Sequence, residues 1–151
     1  MKHKALRITL IVIEAIIGLG ALGGGIAILT GAFDQWLPLA WLQSTPFSDY
    51  TIPGFILLIV VGGGMLLASA TVFVQCEWAV LLSAVMGLVM IGFEVFEVTI
   101  IDRNTQAIIP STLIQQALMS SLGLVIFGLA TFLWMSEYRE HQFPTSPVSH
   151  A

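Results

Sequence analysis

The chain has 151 residues, 57% of them hydrophobic and only 9% charged, with a formal net charge of −4 at pH 7. Soluble domains carry roughly 25% charged residues, so this composition cannot cover a water-facing surface and points to the bilayer as solvent. There is no basic patch for nucleic acid, the single cysteine (Cys76) excludes an internal disulfide or a CxxC motif, and the histidines (His3, His141 and His150) all lie in the tails.

Residues 1–7, MKHKALR, are a basic start. An apolar segment follows over about residues 8–33. It is much longer than a signal-peptide core of roughly 7–15 residues, so it is read as a retained spanning helix. Glu14 lies two turns beyond Arg7, and its face continues through Gly18, Ala21 and Gly25. This stripe of small residues is expected to face another helix.

Residues 34–52 form the longest loop. It carries Trp36, Trp41, Phe47 and Tyr50 and no Lys or Arg. Trp and Tyr favour the headgroup level, so WLPLAWL is expected in the outer interface as a short, proline-interrupted anchor or lid. Thr51 is expected to cap a second helix over about 53–74, with Pro53 in its first turn. The second helix contains VGGGM at 61–65, and the first contains GLGALGGG at 18–25. A close crossing of the two is predicted there. The Gln75-Cys76-Glu77 turn permits only an antiparallel hairpin.

The third helix, about 78–101, aligns Ser83, Gly87, Met90, Glu94 and Glu97 at 3/4 spacing. A fourth helix, about 112–135, opens with Thr112, Gln115 and Gln116, followed by Ser120. By rise per residue, Gln115 and Gln116 reach the depth of Glu97, and Ser120 that of Glu94. A charge in mid-hydrocarbon costs about 2.5–3.5 kcal/mol, so these groups are expected to meet inside the bundle or in a wet cavity. The tail, 137–151, is polar and expected to be helical to about His141 and disordered beyond.

Lys2, Lys4, Arg7 and Arg139 flank one side of an even number of spans, leaving Arg103 for the other. The positive-inside rule then predicts an all-α integral membrane four-helix antiparallel bundle, N-in and C-in, multi-pass in a plasma (inner) membrane. The stretch TPFSDYTIPGFILLIVVGGG, with EVFEV downstream, resembles small uncharacterised bacterial four-span integral membrane proteins. The resemblance implies the four-span architecture and carries no activity or functional residue.

No nucleophile–base pair, metal cluster or cofactor motif is apparent, so no catalytic residue, metal or cofactor is expected and an enzyme is not the favoured reading. The candidate ligand- or ion-binding residues are Glu94, Glu97, Gln115, Gln116 and Glu14. The first functional reading is a non-catalytic bundle that scaffolds a partner or binds a small amphipathic ligand in an outer-leaflet pocket near Glu94 and Glu97. The alternative is a small proton- or cation-coupled transporter or channel subunit that uses Glu14, Glu94 and Glu97. Expected partners are membrane lipid and either a second copy or another membrane protein.

Overall fold

The computed structural model describes residues 3–43, 45–104 and 110–142. Among them the chain is helical, with no strand. Four helices make up the fold: α1, Lys4–Leu29; α2, Thr51–Phe73; α3, Ala79–Asn104; and α4, Pro110–Gln142. Each is long and apolar enough to cross a membrane. A single 3-10 turn, Leu39–Leu42, follows Pro38 in the long loop. The expected disorder beyond His141 falls largely outside the described residues, and so does the side chain of Thr112.

The helices end where local chemistry stops them. α1 was expected to run to Phe33 but stops at Leu29. Gly31 takes φ +75°, and its N–H donates to the Ile28 carbonyl while Ala32 N–H reaches back to Ala27. This is a Schellman cap, with glycine in the left-handed position that L side chains avoid.

The same cap closes α2. Gln75 N–H donates to Val72 O and Cys76 N–H to Thr71 O, but here a non-glycine, Gln75, sits at φ +60°. A Cβ in that region costs about 1–2 kcal/mol. Gln75→Gly is therefore expected to stabilise the fold by about 1 kcal/mol. A denaturation midpoint that falls instead of rising would contradict this account of the turn.

At the start of α2 the capping group is Asp49, not Thr51 as expected. Its Oδ1 accepts the Thr51 N–H at 2.9 Å. That bond holds the Asp49 carboxyl below the usual carboxylate range. Pro53 does fall in the first turn, where its missing N–H has no helical partner to lose.

Packing is pairwise. α1 and α2 run antiparallel with almost no space between them: a Cβ on Gly18 would lie 3.1 Å from the Leu66 backbone nitrogen, and one on Gly25 would lie 2.9 Å from the Leu58 Cα. Gly62 approaches the Leu22 backbone nitrogen in the same way, at 3.0 Å. These three glycines realise the predicted crossing. Gly20 and Gly23, from the same cluster, face open space. Ser69 adds a buried cross-link, its hydroxyl donating to the Ile11 carbonyl at 3.0 Å. Within α2, residues Ile56–Gly63 are wound as a π-helix, opposite the glycine-rich half of α1. Such wide turns are rare and recur at functional sites.

α3 and α4 form the second tight pair, closest where Gly87 meets Gly123 and Phe127. The two pairs join mainly toward the end where α1 begins and α4 finishes, here the terminal end. Leu10, Met65, Ala68, Val80, Ile126 and Leu133 make the core there, and the rings of His3 and Phe132 meet edge to face at 5.8 Å. Toward the opposite, loop end, contact between α3 and the π-helical part of α2 is sparse. Around the perimeter the usual order is reversed. Ile16, Leu19, Ile59 and Phe73 are more than half exposed, whereas Glu14 is 0% and Glu94 7% exposed.

Candidate ligand cavity at the loop end

Separation of the two helix pairs at the loop end leaves a cavity of about 560 Å³. Its walls come from every helix: Gly20 and Gly24 of α1, Leu57 and Val61 of α2, Phe93 of α3, and Met119 and Leu122 of α4. Ile17 and Met90 form its floor, and Leu37, Trp41 and Leu42 close it on the loop side. Tyr50 fastens that cover, its hydroxyl donating to the Pro38 carbonyl at 3.0 Å. Phe47 does the same from the other flank, meeting Phe96 edge to face at 6.0 Å. The expected lid over the bundle thus has defined anchors.

The polar groups of this apolar space are few and clustered. Glu94, Glu97, Gln115 and Tyr50 all line it. Glu94 and Glu97, one turn apart on α3, lie close enough to feel each other's charge. Burial, and secondarily the nearby Glu97, push the Tyr50 phenol above its ordinary range. Among the described residues, Glu94 accepts no hydrogen bond. The two acids and Gln115 share this cavity, and among the described residues no hydrogen bond joins either acid to a glutamine. Gln115 faces the cavity but is exposed, and Gln116 is buried (8% exposed) without lining the cavity. Adjacent helical residues differ by about 100° in direction, so the two could not both face one pocket squarely.

No protein family, curated protein or solved structure matches this chain. The reading of the site therefore rests on its own chemistry.

Glu14 is not part of the cavity. It sits one turn nearer the terminal end than Ile17, inside the core, with both carboxyl oxygens buried and no hydrogen-bond partner. Its polar neighbour is Ser83 of α3, likewise 0% exposed, whose hydroxyl interacts with the carboxyl electrostatically but completes no hydrogen bond. Ile17 and Met90 lie between this pair and Glu94. Among the described residues no three His, Cys, Asp or Glu side chains group as metal ligands.

Of the five candidates singled out in the sequence, Glu94, Glu97 and Gln115 line the cavity, Gln116 and Glu14 do not, and Phe93 and Gly20 line it without having been singled out. Gly20 and Gly24 repeat at i and i+4 as a second small-residue stripe on α1; a Cβ at Gly24 would meet the Leu57 side chain of α2 at 3.3 Å, whereas one at Gly20 would meet nothing within 4 Å.

Proposed function

We propose that the protein is a multi-pass membrane bundle, N-in and C-in, that binds a small amphipathic molecule in the loop-end cavity. The observation that carries this reading is a largely apolar space of about 560 Å³ with its few polar groups gathered at one end. Ligand sites typically occupy about 300–1,000 Å³ and combine apolar walls with a few placed polar groups. The exposed apolar perimeter supports a lipid surround, and the basic residues at the terminal end support a cytoplasmic placement of both tails.

Access is lateral. Ile16 of α1 and Leu118 of α4 both line the cavity while being 66% and 52% exposed. A molecule dissolved in the outer leaflet reaches the cavity between these two helices without crossing water. The transport alternative draws on the unpartnered carboxyl of Glu14, yet it needs a polar route past Ile17 and Met90, both under 10% exposed.

Gly20→Phe provides the test. A Cβ at Gly20 would meet no atom within 4 Å and Gly20 lines the cavity, so a phenylalanine ring there is expected to occupy the space rather than push a helix aside. Native mass spectrometry of the wild type released from lipid nanodiscs is expected to retain a bound amphiphile. The Gly20→Phe protein is expected to lose it at unchanged helix content. Equal retention by both would remove the cavity as the binding site.

A further inference from the structure

We infer that the cavity selects a monocationic amphipath, an ammonium head on a hydrocarbon tail, with the head held between Glu94, Glu97 and the aromatic cover. The inference rests on the ligand-binding reading above and specifies its substrate class. Three observations converge on it.

The first is Glu94. It is 7% exposed, lines the cavity and accepts no hydrogen bond from a described residue, so its carboxyl opens onto the cavity with no partner among the described residues. A buried carboxyl either keeps its proton or is paired with an opposite charge, and a cation favours the second state. The second is the second acid. Glu97 sits one turn away on the same wall, so ionising both acids sets two like charges against each other. One positive group between them relieves both the repulsion and the missing partner. No Lys or Arg is among the residues that line the cavity, and the sequence has none from residue 8 to residue 102.

The third observation is aromatic. Trp41, Tyr50, Phe93 and Phe96 contribute to the same end of the cavity as the two acids. Aromatic faces attract cations, most strongly when water is excluded, and this is a recurrent mode of quaternary-ammonium recognition. An anionic or phosphate-bearing head would meet two carboxylates and no cation among the described lining residues. A neutral sugar head could donate its hydroxyl hydrogens to the two carboxylates but would leave their charge unbalanced. The tail of a cationic amphipath lies along Leu57, Met119 and Leu122 and leaves through the gap beside Ile16.

The experiment uses the full chain in phosphatidylcholine nanodiscs with tritiated dodecyltrimethylammonium as probe. Saturable binding is expected, with competition by dodecyl maltoside, dodecylphosphocholine and dodecyl sulfate at least about tenfold weaker than by unlabelled probe. The Glu94→Gln/Glu97→Gln protein is expected to lose about tenfold or more in probe affinity. Each single variant gives the same reading at smaller amplitude should the double variant fold poorly. Undiminished probe binding by all three variants overturns the inference, as does equal competition by the neutral, zwitterionic or anionic compound. If Gly20→Phe still abolishes binding in that case, the cavity remains the binding site and only the charge selectivity is lost. If no amphipath binds saturably and Gly20→Phe changes nothing, the ligand-binding reading falls with it.

Discussion

Gly87→Leu is expected to break the α3–α4 pair. A Cβ at Gly87 would lie 2.9 Å from the Gly123 carbonyl oxygen and 2.9 Å from the Phe127 backbone nitrogen. Both are main-chain atoms of an intact helix, so they cannot swing aside as a side-chain tip would. The helices must separate, and every contact along their crossing loosens together. Overpacking a close interface costs about 1–3 kcal/mol and occasionally more, and a whole leucine against backbone belongs at the upper end. The comparison that isolates the cause is internal. Gly92 on α3 and Gly128 on α4 meet nothing within 4 Å. Leucine at either should be neutral or stabilising by up to about 1 kcal/mol, because glycine inside a helix is itself unfavourable. Unfolding in mixed micelles of increasing SDS fraction measures all three. Similar midpoints for Gly87→Leu and Gly128→Leu would show that the Gly87 crossing is not tight.

Glu14→Met should move stability in the opposite direction. Glu14 is fully buried in the terminal-end core, and neither carboxyl oxygen has a hydrogen-bond partner. Leu10, Met65 and Val80 belong to the surrounding core, so an unbranched apolar side chain of similar length is compatible with the site. An unsatisfied buried polar group costs about 1–3 kcal/mol, and its replacement by an apolar group of similar shape recovers much of that. The expected result is a stabilisation of about 1–3 kcal/mol in the same SDS assay. Destabilisation of that size would mean that Glu14 and Ser83 jointly hold a proton, a water molecule or an ion that the apolar side chain cannot hold. The transport reading would then gain its missing element.

How much of this could be read in the sequence differs from feature to feature. Glu94 and Glu97 were legible as a pair because depth along a helix is counted at about 1.5 Å per residue and needs no tertiary information. The rotational setting of α4 was not. Whether Gln115 or Gln116 meets the cavity depends on how α4 is turned against α3, and that is set by the Gly87–Gly123 contact between residues 36 positions apart. The end of α1 was legible in principle, since Thr30-Gly31 is a recognisable stop, but the apolar run through Phe33 masked it. The replacement of Thr51 by Asp49 as capping group followed from a two-residue difference in where the chain enters the helix.

Composition and segment length alone decide that this chain makes four long apolar helices, because a chain with 9% charged residues has too little polar surface to face water around them. They also decide that any acid within those helices must turn inward. Which glycines close an interface and which open onto space is a matter for the assembled bundle. Gly18 and Gly25 lie under α2, whereas Gly20 faces nothing, and only the crossing of two pairs that meet at one end and part at the other separates these fates. The cavity exists for that reason. It is a property of the angle between helix pairs, and no single helix carries it.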